Sequence, residues 1–489
     1  MLFNSHIFIL LFLPLLLAGW YFLNWKKKFQ LAQGYLIGMS LWFYAYANLQ
    51  YLWLLLFSCL IGWLLSCLPE KIFSEKGKKV LTGVGCVFHL GLLGYFKYSN
   101  FFLENLNTVF HTDFPMLQIL LPVGISFYTF QQLAYLIDRC RGDAPRDSFF
   151  DYLTFMVYFP QLLQGPILLR SEFMGQLKEP ERRRFHAERF SEGIQFFVFG
   201  LAKKVLLADT LAKAVNYGYS NVSMLDSISA LLLAVGYLTE LYFDFSGYCD
   251  MAVGLGKMIG LEVAENFDAP FHSASVKEFW RRWHMTLGRF FTRYVYIPLG
   301  GNRRGKMRTL CNVMIVMLLS GLWHGAAWTF VLWGFLHGVG MIWDNLEHPH
   351  LPKKWMRQAA TFAYVCMTFV FFRAESIAQG IDVLKSIVSL KWNGFVFQMA
   401  SALDLTEFYM ITKALSMKLP GLHSWFWLGI FVVLIAICFR VLSGKKVSGV
   451  VALQRQKGYG RLYPVVLAVL FTWSMISMTG VSEYLYFSF

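Results

Sequence analysis

Apolar positions in this chain fall in long unbroken runs, punctuated by short basic clusters. A membrane-spanning helix needs about 20 mostly apolar residues. Met1–Trp25 has no formal charge and ends at Lys26, Lys27 and Lys28. It has neither a basic leader nor a small-residue cleavage site, so it reads as a first span with its N-terminus outside. Phe29–Pro69 is charge-free and long enough for two spans, returning to Lys71, Lys76, Lys78 and Lys79. Val80–Phe96 and Phe114–Ile137 predict an out-and-back pair around an outer loop, Lys97–Asp113, with Arg139, Arg141 and Arg146 back inside. Thr309–Trp343 is charge-free, and Gln358–Phe372, Leu419–Phe439 and Leu462–Ser482 supply further spans. Basic residues from Arg440 to Arg461 mark an inner loop and leave the C-terminus outside.

One apolar stretch breaks the pattern. Tyr152–Leu169 is interrupted by Phe159-Pro160 and Gly165-Pro166, and both of its flanks are basic. That predicts a re-entrant or broken element. Irregular backbone survives at membrane depth only where protein or a water-filled cavity surrounds it. Ser227–Thr239 starts a helix that runs into Glu240, Asp244 and Asp250, and 262–308 is amphipathic and basic. The expectation is an all-α polytopic membrane protein, a single domain over 1–489 with about ten to twelve spans.

Composition agrees. Of 489 residues, 57% are hydrophobic and only 15% charged, against about 25% in a soluble domain. The mean hydropathy is +0.48. The net charge of +15 would suggest nucleic acid in a soluble protein, but no recognition motif or separate basic domain accompanies it. It belongs instead to inner-face loops. The eight cysteines show neither CxxC pairs nor metal-ligand spacing and read as small buried apolar residues.

Ionisable side chains within membrane segments are costly, which makes them candidates for function. Glu240 and Asp244 stand one helical turn apart, as the polar wall of a cavity or as partners of arginines such as Arg281 and Arg282. The dense run Phe279-Trp-Arg-Arg-Trp-His284, continuing to Tyr296-Ile-Pro-Leu-Gly-Gly-Asn302-Arg303-Arg304, suits an interfacial helix. An interface does not require the imidazole of His284. His324 lies inside the charge-free stretch, between Gly321 and Gly325, whose GxxxG spacing lets another helix approach closely. Imidazole is the side chain best suited to general-base work near neutral pH. His337, 13 residues further on, points about 220° away if the helix is continuous, and reads as structural. The chain has no HExxH or Walker-type loop and no GxSxG elbow. An ATP-driven pump and a zinc hydrolase are therefore poor fits, and no metal site is expected.

Phe279-Trp-Arg-Arg-Trp-His284, Tyr296-Ile-Pro-Leu-Gly-Gly-Asn-Arg303 and Leu322-Trp-His324-Gly-Ala-Ala-Trp328 together resemble the membrane-bound O-acyltransferase superfamily. So do Pro122-Val-Gly-Ile-Ser-Phe-Tyr, Phe159-Pro-Gln-Leu-Leu-Gln-Gly-Pro and Tyr242-Phe-Asp-Phe-Ser-Gly-Tyr. The likeness extends to about residue 345. The Tyr-Ile-Pro-Leu-Gly-Gly-Asn-Arg run and the chain length are similar to the alginate and peptidoglycan O-acetyltransferase branch, more than to the neighbouring teichoic-acid D-alanyl transfer proteins. The resemblance implies a helical bundle around a funnel or tunnel with re-entrant helices. It also implies acetyl transfer from a cytoplasmic thioester, acetyl-CoA, toward an extracytoplasmic polysaccharide in a bacterial inner membrane. A separate extracytoplasmic acetyltransferase would be the protein partner, with membrane lipid around the chain and no resident cofactor.

Residue by residue, His324 and His284 match the family's two active-site histidines. Trp283, Trp323, Arg282, Asn302 and Asp244 are the candidate substrate-binding residues. Arg281, Arg282, Arg303 and Arg304 would pair with CoA phosphates or report topology alone. The competing readings are D-alanyl transfer and a polytopic polysaccharide or solute transporter, although no pair of interrupted helices in related halves points to the latter.

Overall fold

The computed structural model describes residues 1–67, 75–346, 352–458 and 460–478. Pro69, Lys71 and the end of the expected span at Ser482 lie outside the described residues. Every regular element among the described residues is helical. Among the described residues six helices are long and apolar enough to cross a membrane: Phe8–Trp25, Phe29–Cys67, Lys76–Phe110, Ser227–Met258, Lys306–His324 and Gly421–Leu442. Trp328–Trp343 and Leu462–Ser477 are shorter apolar helices. The protein is thus an all-α, multi-pass membrane protein.

Contacts group the chain into two compact units. The first comprises Met1–Val198, Tyr248–Glu265 and Thr286–Pro298; the second comprises Phe199–Gly247, Asn266–Met285 and Leu299–Phe489.

In the first unit, the charge-free run after Lys28 bends once, through Leu49–Tyr51, between the helices Phe29–Asn48 and Leu52–Cys67. The expected outer loop after Phe96 is instead helical as far as Phe110. No glycine or proline follows Gly94 to stop it before His111 turns left-handed at φ 52°. The expected span from Phe114 begins only at Ile125, because Pro115 and Pro122 hold the preceding segment out of a helix.

The broken element is present. Helix Phe149–Val157 stops at Tyr158, one turn follows at Phe159–Leu162, and helix resumes at Arg170–Leu177. The intervening backbone is buried almost throughout, so its polar groups need partners. Ile167 N–H donates to Thr286 Oγ1 at 3.1 Å, and Arg289 Nη2 donates to Ile167 O at 3.0 Å. Arg289 also pairs with Glu172, whose Oε2 accepts from Leu169 N–H at 3.1 Å. A Cβ on Gly165 would stand 2.0 Å from Pro160 O, so only glycine fits this reversal. Several basic residues expected at the inner face are paired: Arg170 with Asp147, Arg182 with Glu179 and Glu262, and Arg293 with Asp138 and Asp143.

In the second unit, Lys306–His324, Trp328–Trp343 and Lys354–Arg373 pack together, with Pro420–Leu442 and Leu462–Ser477 further along the chain. The charge-free stretch from Thr309 is two helices rather than one. Gly325 adopts an extended conformation, φ −160° and ψ 152°, which ends the first helix at His324. Trp328–Trp343 then returns along it, and the glycines set the approach. A Cβ on Gly321 would lie 2.3 Å from Phe330 O and 3.2 Å from Gly334 Cα. The close approach predicted from Gly321 is made by the next helix of the same chain.

Gly321→Ala should therefore lower the melting temperature of the purified protein, since overpacking costs about 1–3 kcal/mol. A melt unchanged from wild type would mean that the two helices separate freely.

Candidate active site

The site forms within the second unit. His324 occupies the last turn of its helix and is 3% exposed. The rings of Trp323, Trp333 and Phe372 surround it, with centroids 4.9, 5.1 and 5.1 Å from the imidazole.

His284 is built differently. Helix Val276–Arg282 starts at Ser275, whose Oγ accepts from Glu278 N–H at 3.1 Å, and it ends as Trp283 turns extended. His284 then takes the left-handed conformation, φ 44°, at a cost of about 1–2 kcal/mol for a residue with a Cβ. A two-bond bracket holds it there. Asp268 N–H donates to Arg282 O at 2.9 Å, and Met285 N–H donates to Asn266 O at 3.0 Å. Phe245 meets the imidazole edge-on at 4.7 Å, and the Trp323 ring lies 6.1 Å away. Burial pushes the His284 imidazole down to about 3, so it is neutral at physiological pH.

The two histidines, 40 positions apart in sequence, therefore reach the same indole, that of Trp323. The other candidates divide. Trp283 is buried, stacked on Phe279 at 5.3 Å and edge-on to Phe267 at 5.1 Å. It is a wall of the aromatic cluster beneath His284. Arg282 is partly exposed and pairs with Glu278 at 2.9 Å. Asn302 is exposed in the turn before Lys306–His324, and so are Arg281, Arg303 and Arg304. Asp244 is buried and pairs with Lys204 at 2.5 Å. Lys204 Nζ also lies 2.8 Å from Asp209. Among the described residues no group of three or more His, Cys, Asp or Glu is arranged to hold a metal.

His337 does not lie where a continuous helix would put it. The break at Gly325 turns its helix back against His324: Trp333, whose ring meets His324 at 5.1 Å, stands one turn before His337 on that helix, their rings 4.8 Å apart. Its nitrogens are occupied. Trp280 Nε1–H donates to Nδ1 at 3.2 Å, and Nε2 lies 2.9 Å from Thr368 Oγ1, which donates to Val365 O at 2.8 Å. Such a chain leaves no lone pair for a substrate and suits the structural reading of His337.

Lys204, Phe245, Phe369 and Phe372 carry no sequence signal for this site. The phenylalanines are ordinary apolar residues in the sequence; packing brings the rings of Phe245, Phe369 and Phe372 against His284, Trp333 and His324, and Lys204 against Asp244. Asn266 lies 18 residues before His284 in the chain, and its bond to that ring is a tertiary fact.

Two imidazoles thus lie buried among aromatic rings within a multi-pass helical membrane protein. The model of the membrane-bound O-acyltransferase family matches residues 144–379. A peptidoglycan O-acetyltransferase from Helicobacter pylori is 36% identical, over 80% of this chain and 80% of its own length. A probable alginate O-acetylase AlgI from Azotobacter vinelandii is 39% identical, over 77% of this chain and 76% of its own. A teichoic acid D-alanyltransferase from Streptococcus thermophilus is 28% identical, over 49% of this chain and 58% of its own. The chain belongs to the membrane-bound O-acyltransferase family and is an acyltransferase.

Proposed function

We propose that this protein is an O-acetyltransferase of a bacterial cytoplasmic membrane. It takes an acetyl group from a cytoplasmic thioester, acetyl-CoA, and passes it outward for O-acetylation of an extracytoplasmic polysaccharide of the peptidoglycan, alginate or cellulose type. A separate extracytoplasmic acetyltransferase receives the group. The observation that carries this reading is the pair His284 and His324 at one buried indole. The relatives named for O-acetylation match over more of the chain, and at higher identity, than the D-alanyltransferase does, which favours acetyl over D-alanyl.

His324 acts as general base. It takes the proton of an acceptor hydroxyl as that oxygen bonds to the thioester carbonyl carbon. The tetrahedral intermediate expels the CoA thiolate, which recovers the proton, so a C–O bond replaces a C–S bond with no net proton change. His284 orients the acceptor or stabilises the oxyanion. The aromatic cage keeps the local dielectric low, which strengthens each of these polar contacts. The exposed cations Arg281, Arg303 and Arg304, with Arg282 beside them, are the groups available to CoA phosphates.

Label transfer from radiolabelled acetyl-CoA in proteoliposomes is the test. The expected result is protein-dependent transfer of the acetyl label to an acceptor. Transport of a glycan with the label left on CoA would assign a transporter. Acceptance of D-alanyl thioester in place of acetyl would assign the neighbouring branch.

A further inference from the structure

His284 has two roles open to it, orienting the acceptor or stabilising the oxyanion, and its hydrogen bonding separates them. His284 Nδ1 lies 3.1 Å from Asn266 Oδ1. An amide oxygen only accepts, so this bond requires the proton on Nδ1. A neutral imidazole with Nδ1–H keeps its lone pair on Nε2. That Nε2 is buried and has no hydrogen-bond partner among the described residues. The ring cannot readily turn to exchange its nitrogens. Phe245 and Trp323 pack on it, and the backbone of Asn266 is tied to Met285 at 3.0 Å.

We infer that Asn266 is a positioning residue: it fixes His284 in the Nδ1–H form, so that Nε2 accepts a hydrogen bond from a donor of the acceptor other than the hydroxyl that is acetylated. In this tautomer the neutral ring has no proton to offer an oxyanion. Of its two roles His284 therefore performs the first, orienting the acceptor through that second donor and leaving the reacting hydroxyl's proton to His324. The same arrangement explains why the protein tolerates a left-handed histidine: φ 44° and the two backbone bonds aim the ring at Asn266.

The inference rests on the acetyl-transfer reading, and the experiment separates the two. Asn266→Leu, Asn266→Asp, His284→Ala and the double variant Asn266→Leu/His284→Ala are purified and assayed with radiolabelled acetyl-CoA, and the melting temperature of each is recorded. Asn266→Leu should lower kcat by about 100-fold or more, with KM for acetyl-CoA within about threefold, as loss of an acid–base group's alignment does. Asn266→Asp keeps an acceptor facing Nδ1 and should recover kcat to within about tenfold of wild type. The double variant should be no slower than His284→Ala, because two residues acting as one unit are not additive.

Asn266→Leu within about fivefold of wild type, a folded Asn266→Asp as slow as Asn266→Leu, or additive losses in the double variant would each overturn the inference. If Asn266→Leu fails to fold, recovery in Asn266→Asp still supports it and a folded, inactive Asn266→Asp still defeats it. No transfer from acetyl-CoA by the wild-type protein would instead defeat the acetyl-transfer reading, whereas full activity in His284→Ala would remove His284, and the positioning role with it, from the chemistry. An inactive His284→Ala beside an active Asn266→Leu defeats the positioning role alone.

Discussion

His324→Ala protein reconstituted in proteoliposomes is expected to transfer no acetyl label above background, while inserting and accumulating as wild type does. A positioned general base contributes about 10²–10⁴-fold. Its neighbours Trp323, Trp333 and Phe372 are carbon faces with one indole N–H per tryptophan, and none of them can take a proton. Alanine leaves a space within the cage, so His324→Gln is the companion variant. It fills most of the volume and cannot act as a base at neutral pH. Both variants should be inactive, and Gln should melt nearer to wild type. Transfer within about tenfold of wild type in a folded His324→Gln protein would remove His324 from the chemistry, since the smallest expected base contribution is about 10²-fold.

The largest stability effect is expected at Lys204. Its ammonium is 2% exposed and is shared by Asp244, also 2% exposed, and Asp209. Removing one partner of a buried pair strands the other charge and costs about 3–5 kcal/mol, whereas replacing both can be neutral. Lys204→Met should therefore lower the melting temperature sharply. Lys204→Met/Asp244→Asn should recover much of the loss, Asp209 being nearer to solvent at 23% exposed. Asp244 precedes Phe245, which packs on His284, so Lys204→Met should also reduce transfer, by a factor that the double variant restores in part. A Lys204→Met protein as stable as wild type would show that the pair carries no weight in holding this helix.

The membrane character was legible in the chain itself, and so were the two histidines taken as candidates. Runs of apolar residues longer than any soluble core requires can only be spans. Pro160, Gly165 and Pro166 interrupt one run with residues that cannot continue a helix, and the structure breaks there. His284 and His324 stood out because imidazole is rare in such surroundings.

Other readings depended on where a helix stops, and local composition states that weakly. Gly94–Phe110 lacks charged blocks and breakers, so it continues as helix where an outer loop was expected. The stretch from Thr309 to Trp343 contains no proline, yet Gly325 turns it back. That reversal brings the indole of Trp333, one turn from His337, against His324.

By itself, then, the sequence determined that this is a helical membrane protein with scarce polar groups, and which of those groups are chemically able to act. It could do so because hydrophobicity and side-chain chemistry belong to single residues and short windows. Only the tertiary structure decided that His284 and His324 meet at Trp323, that Asp244 belongs to Lys204, and that Asn266 faces a ring nitrogen of His284. Those are relations between residues distant in the chain, set by how glycine-lined helices and aromatic rings close-pack, and no local pattern encodes them.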